Sequence, residues 1–475
     1  MAKTTSTETL REMRAAAERG DAEAQYNLGW MYAVGQGVVQ DDAQAVSWMR
    51  KAASQGDARA QFNLGVSYAT GRGVAQDDVE AVNWYRKAAE LGDTAAQCNL
   101  GGMYDRGRGV AQDNAEALHW YRLAAEQDDA DAQYNLGLMY WKGQGVKQDD
   151  TQAVSWFRMA ADQGCPEAQY NLGLSFEDGR GVAQDDAQAA AWYREAADQG
   201  LDSAQTALAL MYEVGRGVAQ DHAEAFNWYC KAAEQGDVKA QYNLGVLYEN
   251  GQGVAQDDAE AFNWYYKAAE QGAVRAQYNL GVMYEDGQGI AQDYAEAFNW
   301  YRKAAEQEDA DAQYNLGVMY ENGRGVARDD AQAVRWYRKA AEQGNTRAQT
   351  NLGVMYRYGR GVARDDTQAV RWYRRAADQG DPVAQYNLGL AYRDGRGAVG
   401  DDAQAAAWLR KAADQGDVAA QYNLGVMYEN GRGVAQDDAE AVAWFLKAVS
   451  QGDVDAEEAV RRMEASGSGH PKPRR

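Results

Sequence analysis

A glycine motif recurs along the chain, and it is a candidate phosphate-binding site because glycine turns can bind phosphate groups. It reads GQGV at residues 35–38 and GRGV at residues 71–74. A dinucleotide-binding glycine motif follows a strand and opens a helix. Here the motif follows a helical pattern, and the next helix begins with Asp, often Asp-Asp, which repels phosphate. The sequence therefore predicts turn glycines and no phosphate site.

Residues that could act in catalysis are few and scattered. The three histidines, His119, His222 and His470, lie outside the repeated apolar positions. The sequence shows no Ser-His-Asp set, no nucleophile elbow and no Cys/His set with metal-ligand spacing. Paired aspartates such as Asp257-Asp258 are explained as helix caps. We therefore expect no enzymatic activity, no cofactor and no metal.

Charge and cysteine content limit the classes of binding partner and the cellular compartment that we expect. The net charge is −23, from 48 basic and 71 acidic residues. Nucleic acids and anionic membranes require a basic surface, so neither is expected as a partner. No stretch approaches the ~20 apolar residues of a membrane span. Cys98, Cys165 and Cys230 form no disulfide pattern, and no signal peptide is recognisable, so we expect a cytoplasmic protein. Export as an effector without a cleaved signal remains an alternative.

Most of the chain is a repeat. The segment AQYNLGVMYENGRGV occurs at 312–326 and again at 420–434, a separation of 108 residues, or three times 36. Twelve units follow each other at this spacing without insertion or deletion. A period of this length is typical of stacked repeat arrays. The sequence thus predicts a single elongated domain.

Each repeat contains two helical patterns, which we name helix A and helix B. In residues 22–56, Ala24 and Leu28 begin the apolar stripe of helix A, and Ala45 and Trp48 begin that of helix B. Every helix B starts with Asp, followed three residues later by Gln or Glu, which predicts a capping box. Most helices B end at Gly, which adopts a left-handed conformation easily.

Three repeated positions indicate tight packing. Gly29 and its equivalents lie within helix A, where glycine costs about 1 kcal/mol relative to alanine, so we expect another helix to press against them. The tryptophan position of helix B lies on the apolar stripe and is interpreted as core, not as a ligand cage. The asparagine position of helix A, as at Asn27, favours a structural hydrogen bond, with recognition of a peptide backbone as the alternative.

The predicted domain organisation follows the repeat. Residues 1–20 form an N-terminal tail and a half-repeat helical cap. Residues 21–452 hold the twelve repeats, and residues 453–465 form a capping helix whose expected core positions are replaced by charged residues. Residues 466–475, SGSGHPKPRR, are predicted to be a disordered basic tail.

The repeat resembles a known family. Residues 312–344, AQYNLGVMYENGRGVARDDAQAVRWYRKAAEQG, are similar to the Sel-one-like repeat, a relative of the tetratricopeptide repeat. This resemblance implies an all-α fold, an α-solenoid of twelve 36-residue antiparallel helix pairs in a right-handed superhelix, with helix A on its concave side. It also implies a non-enzymatic scaffold or adaptor that binds peptides or proteins.

Two other functions remain as alternatives. Cysteine-rich relatives have been linked to penicillin binding and hydrolase-type activity, but their regular cysteine pairs are absent here. A self-assembling structural rod is the second alternative.

The face of helix A opposite its apolar stripe is the first candidate surface. It carries Tyr, a small aliphatic residue and Glu in consecutive repeats, which could hold an extended basic peptide. The alternative is that the tyrosines pack between helices and the glutamates are merely solvated. The candidate residues are Tyr242, Glu249, Tyr278, Glu285, Tyr314 and Glu321.

A reversal of charge marks the second candidate surface. Residues 324–375 contain twelve basic and five acidic residues within an acidic protein. Such a region could dock an acidic partner or the acidic surface of another copy. The alternative is drift in a duplicated segment. The candidate residues are Arg335, Arg357, Arg371 and Arg393.

Overall fold

A computed structural model describes residues 2–465, and within that range all regular structure is α-helical. The chain divides between Ala240 and Gln241 into two compact units, which are described separately below. The predicted basic tail, 466–475, lies outside the described residues. The helices are α1 Ala2–Glu18, α2 Ala22–Val34, α3 Asp42–Ser54, α4 Ala58–Thr70, α5 Asp78–Glu90, α6 Thr94–Arg106, α7 Asn114–Ala125, α8 Ala130–Lys142, α9 Asp150–Asp162, α10 Pro166–Asp178, α11 Asp186–Asp198, α12 Asp202–Val214, α13 His222–Glu234, α14 Val238–Asn250, α15 Asp258–Glu270, α16 Val274–Asp286, α17 Tyr294–Glu306, α18 Ala310–Asn322, α19 Asp330–Glu342, α20 Thr346–Tyr358, α21 Asp366–Asp378, α22 Pro382–Asp394, α23 Asp402–Asp414, α24 Val418–Asn430, α25 Asp438–Val449 and α26 Val454–Ala465.

The helices pair as the periodicity predicts. Helix A is α2 and each even-numbered helix to α24, and helix B is α3 and each odd-numbered helix to α25. Within each compact unit, a helix A packs most extensively against the helix B that follows it, as α2 does with α3 and α18 with α19. The described part of the chain is therefore a succession of helix pairs.

The caps of helix B form as predicted from the aspartates. The Asp41 carboxylate accepts a hydrogen bond of 2.9 Å from the backbone N–H of Gln44. The Asp77 carboxylate accepts from two N–H groups, those of Val79 and Glu80. These bonds satisfy donors that the first helical turn leaves free, so the recurring Asp fixes where each helix B begins.

The recurring glycine motif forms the turn between helix A and helix B. Gly71 has a φ of 72° and caps α4 by donating its N–H to the Ser67 carbonyl oxygen. Gly73 meets the preceding repeat: a β-carbon at this position would lie 2.1 Å from the Asp42 carbonyl oxygen. The glycines are turn residues, as predicted, and the second one also permits close stacking of repeats.

The core lies between the paired helices. Leu64 of helix A is fully buried, and Tyr85 of helix B is buried as well. A β-carbon on Gly65 would lie 2.6 Å from the Tyr85 ring, which explains why a glycine is retained inside helix A. The predicted close approach of a neighbouring helix is confirmed. Equivalent contacts join Gly173 to Tyr193 and Gly317 to Tyr337.

The tryptophan position has a more specific role than general core packing. Trp192 packs against a core cluster built from α9, which belongs to the preceding repeat, and α10, which belongs to its own repeat. Trp372 likewise packs against the cluster of α19 and α20. Six of the twelve tryptophans in this position are only half-buried. Tryptophan therefore joins neighbouring repeats, whereas the next residue, usually Tyr, fills the centre of its own repeat.

A ladder of buried glutamines also joins the repeats. Gln133 on helix A is fully buried, and its side-chain amide donates to the Ala125 carbonyl oxygen at 3.2 Å. Its Oε1 accepts from the Gln163 amide at 2.9 Å. The same pair forms between Gln25 and Gln55. The bond to Ala125 crosses from one repeat to the preceding one, whereas the glutamine pair joins the two helices of a single repeat, so together they hold successive repeats in register.

Candidate partner-binding surfaces

The tyrosines of the first candidate surface are half-buried on helix A. The Tyr278 ring centroid lies 5.8 Å from that of Tyr301 on the following helix B. Burial raises the pKa of Tyr278 and Tyr314 above the usual tyrosine value. These tyrosines thus pack between helices along one edge. Tyr242 and Tyr314 make the same contact, with Tyr265 at 5.6 Å and Tyr337 at 5.9 Å.

The glutamates of that surface hold buried tyrosine hydroxyls. Tyr301 donates its hydroxyl to Glu285 at 2.8 Å. Glu321 accepts from Tyr337 at 2.6 Å and also pairs with Arg360 at 2.8 Å. Sequence reasoning missed this pairing, although both partners recur at a spacing of 16 residues. The equivalent bond joins Tyr265 to Glu249 at 2.6 Å.

The asparagine position links neighbouring repeats. The Asn171 amide donates to the Glu167 carbonyl oxygen at 3.0 Å, within its own helix. The same amide lies 3.4 Å from the hydroxyl of Tyr134 in the preceding repeat. These contacts support the structural interpretation of this position.

The structure places two of the four candidate arginines on helix A. Arg357 and Arg393 are half-buried there. Arg357 donates to the Asn387 side-chain oxygen at 3.0 Å, and Arg393 donates to that of Asn423 at 2.7 Å. Arg393 also pairs with Asp394 at 2.8 Å and lowers the pKa of that carboxyl group. Much of their bonding capacity is therefore used within the protein.

The other two candidates, Arg335 and Arg371, are exposed at equivalent positions of α19 and α21. Both helices pack against α20. Within residues 2–465 neither arginine makes an ion pair, whereas the nearby loop arginine Arg328 is paired with Asp330 at 3.0 Å. The exposed cations on these two helices form what we call the basic ridge: Arg335, Lys339, Arg371, Arg374 and Arg375.

Arginines of the GRG turn form a contact that sequence reasoning also missed. Arg72 donates to Asp42 at 2.9 Å and to the Ala33 carbonyl oxygen at 2.8 Å, both in the preceding repeat. The signal was present, because Arg and Asp recur 30 residues apart. These arginines therefore stabilise the stacking of repeats. Equivalent ion pairs join Arg108 to Asp78, Arg180 to Asp150 and Arg432 to Asp402.

Two properties of the described residues bear on the kind of site. No group of three or more His, Cys, Asp or Glu residues between positions 2 and 465 is arranged to hold a metal ion. None of the helices described is both long enough and apolar enough to cross a lipid bilayer. The candidate surfaces are thus made of aromatic and charged side chains on helices, an arrangement that suits protein contacts.

The fold and its packing define a helical repeat protein. The Sel1 repeat model matches twelve consecutive stretches, from residues 22–57 to residues 418–453. The chain belongs to the Sel1 repeat family.

Similarity to solved structures supports the assignment to this family. The chain is similar to c5321, a protective antigen present in uropathogenic Escherichia coli strains that displays the SLR fold: 41% identity, 89% of this chain and 90% of that chain covered, TM-score 0.81. It is also similar to a Sel1 repeat protein from Oxalobacter formigenes: 39% identity, 65% of this chain and 89% of that chain covered, TM-score 0.52. A comparison with curated proteins gave no significant match.

The family supports two general statements. Sel1 repeat proteins generally mediate protein–protein interactions, and the family is generally of a non-enzymatic scaffold type. The predicted fold class, an all-α solenoid of helix pairs, is confirmed by the twelve repeats and the SLR neighbours. The right-handed superhelix remains a prediction.

Proposed function

We propose that this protein is a non-enzymatic scaffold that binds an acidic protein segment on the basic ridge. The observation that carries the proposal is the exposure of Arg335 and Arg371 without ion pairs in the described chain, although the protein has a net charge of −23. An acidic protein normally gains stability by pairing such cations with its own carboxylates. Their exposure at the same position of successive repeats provides a regular row of donors for carboxylates.

The difference between the recurring and the varying residues of the repeat supports this proposal. The recurring residues are used internally: Asp for caps, Gln for the ladder, and Gly and Tyr for packing. The exposed position of Arg335 and Arg371 instead varies along the chain and is Asn in four earlier repeats, at Asn83, Asn227, Asn263 and Asn299. Selectivity for a partner therefore depends on exposed positions that differ between repeats.

The test uses Asn, because neighbouring repeats already carry it at this position. A double variant, Arg335→Asn with Arg371→Asn, should bind a fluorescein-labelled oligoglutamate peptide about tenfold more weakly, since each exposed pair contributes roughly 0.2–1 kcal/mol. Fluorescence anisotropy at physiological ionic strength measures the affinity. The matched control, Lys147→Asn with Lys239→Asn, removes the same charge from exposed positions elsewhere. Equal affinity of native protein and ridge variant, or equal loss in both variants, would contradict the proposal.

The helix-A surface is a second proposed docking site, for a basic peptide along the predicted concave face. Two observations favour it: Val246 and Val282 are half-exposed beside the glutamates, and Glu249 makes no ion pair among the described residues. Glu249→Gln should weaken binding of a labelled oligolysine peptide while keeping an oxygen for the Tyr265 hydroxyl. Glu234→Gln on helix B is the charge-matched control. A loss of affinity shared by both variants would argue against this surface.

We further propose a reducing compartment, such as the cytoplasm, because Cys98, Cys165 and Cys230 are all free. Burial raises the pKa of Cys165 and of Cys230 to about 11, so both thiols are poorly reactive at neutral pH. Fractionation of source cells with immunodetection tests the location. Recovery in the culture medium would favour export.

A further inference from the structure

An open groove of about 640 Å³ lies between α9 and α11, in the compact unit that ends at Ala240. Trp192 lines it together with Asp162, Glu195 and Asp198. The three carboxylates are exposed, and none forms an ion pair with another described residue. The groove thus combines an aromatic ring with uncompensated negative charge.

Other repeats show what normally covers this tryptophan. In nine repeats a cation three residues further along helix B lies over the indole ring. The Lys231 ammonium, for example, lies 3.6 Å from the centre of the Trp228 ring. Attraction between a cation and the electron-rich face of the ring favours this arrangement. The repeat itself therefore shows that a lysine fits over this tryptophan.

The repeat that contains Trp192 has lost the covering cation. Glu195 occupies the position of Lys231, and the small Ala191 occupies that of Asn227. Both changes affect the rim of the groove: the cation is replaced by an acid, and the neighbouring side chain is shortened. Ala191 and Glu195 both line the open space.

The two preceding repeats also lack the cation but carry no comparable change of charge. Leu123 and Met159 stand at the position of Glu195. The indole N–H of Trp120 is engaged by Glu116 of its own helix at 3.1 Å. Only a carboxylate at this position turns the uncovered ring into a site complementary to a cation.

We propose that the groove binds a lysine side chain of a partner polypeptide, whose ammonium group takes the place that Lys231 occupies over Trp228. The carboxylates of Glu195, Asp162 and Asp198 balance the charge of the incoming lysine. The volume of the groove falls within the range of sites that hold small ligands, so residues flanking the lysine also fit. This surface lies outside the basic ridge and the helix-A surface, and its test is independent of theirs.

The sharpest test restores the internal cation. Glu195→Lys places over Trp192 the residue that most other repeats have, so the fold should be kept while the groove is filled. The probe is the peptide acetyl-Ala-Lys-Ala-Lys-Ala-amide. We expect an upfield NMR shift of its lysine ε-methylene protons with native protein, and affinity reduced about tenfold or more for Glu195→Lys.

Two controls separate this site from general attraction to an acidic protein. Glu234→Lys makes the same change of charge at an exposed position of α13, where Lys231 already covers the tryptophan. It should leave the upfield shift and most of the affinity intact. Trp192→Phe keeps an aromatic ring for packing and should reduce the shift without removing the carboxylates.

Three results would overturn the proposal. The first is the absence of an upfield shift with native protein. The second is an equal loss of affinity in Glu195→Lys and Glu234→Lys, which would mean diffuse electrostatic binding. The third is a dimer in sedimentation of the native protein that Glu195→Lys abolishes, which would make a second copy of the chain the occupant.

Discussion

Replacing Leu91 with Gln should stabilise the protein by about 1 kcal/mol, although it exchanges an apolar residue for a polar one. Leu91 stands where the other repeats carry the donor glutamine of the ladder. Its absence leaves Oε1 of the buried Gln61 without a hydrogen-bond partner, while the Gln61 amide still donates to the Ala53 carbonyl oxygen at 3.1 Å. The variant completes the broken step of the ladder.

The expected magnitude follows from the local structure. Leu91 is 59% exposed, so its removal sacrifices little buried apolar surface. Its backbone has φ −86° and ψ 2°, close to the φ −92° and ψ 2° of Gln55, so glutamine fits without strain. The gain is one hydrogen bond to a buried acceptor, and such bonds contribute roughly 0.5–1.5 kcal/mol.

Urea unfolding followed by circular dichroism measures the change, and hydrogen exchange of α4 and α5 shows whether it is local. Hydrogen exchange matters here because a repeat array need not unfold in a single two-state step. The matched variant is Gln163→Leu, which removes the donor from the fully buried Gln133. It should cost about 1–3 kcal/mol, the penalty for a buried acceptor left unpaired.

The reasoning would be refuted if both variants left the free energy of unfolding unchanged. It would also be refuted if Leu91→Gln were destabilising while Gln163→Leu was neutral. In either case the glutamine ladder would be a consequence of packing and not a source of stability.

Three further predictions concern the turns and the ion pairs. Asp128→Gly should stabilise the protein by about 1 kcal/mol, because Asp128 has a φ of 63° where most other repeats carry glycine; no rise in the urea midpoint would contradict this. Gly73→Ala should destabilise by about 3 kcal/mol or more, since its β-carbon would lie 2.1 Å from the Asp42 carbonyl oxygen; a melting temperature near that of native protein would count against the contact. Arg108 lowers the pKa of Asp78 in the folded protein. The ion pair therefore stabilises the fold fully at pH values above the pKa of an unfolded aspartate, and this stabilisation is lost as the pH falls through the lower pKa of the folded state. Arg108→Gln should therefore be destabilising at neutral pH but not in strong acid, and a pH-independent difference would refute the assignment.

Much of the fold could be predicted because the repeat presents each signal many times. The Asp of the capping box and the turn glycines each depend on local backbone chemistry, which a short sequence window reveals. The glycine inside helix A indicated a close neighbour, and the Tyr85 ring beside Gly65 is that neighbour. Local rules therefore predicted the elements and their pairing.

The contacts between repeats were harder to predict because they join residues distant in the sequence. The pair of Arg72 with Asp42 depends on how one repeat stacks on the next, and the bond from Tyr337 to Glu321 depends on how the two helices of one repeat pack together. Their partners recur at constant spacing, yet spacing alone does not show which side chains face each other.

The candidate sites were the hardest part to predict, because spacing does not show which side chains face each other. Helical periodicity placed the glutamates of helix A on the face opposite the core, but it could not show that a buried hydroxyl binds them. The local excess of basic residues grouped Arg335 with Arg357. Charge alone could not show that Arg335 is exposed on helix B whereas Arg357 is half-buried on helix A. Side-chain contacts separate the exposed cations from those already engaged.

The most direct test of the proposed scaffold function is photo-crosslinking of native protein with an oligoglutamate peptide that carries a benzophenone, followed by mass spectrometry of the linked fragments. We expect links concentrated on α19 and α21, around Arg335 and Arg371, which disappear when unlabelled peptide competes. Links spread over many repeats, or concentrated on α20 and α22, would contradict binding at the basic ridge.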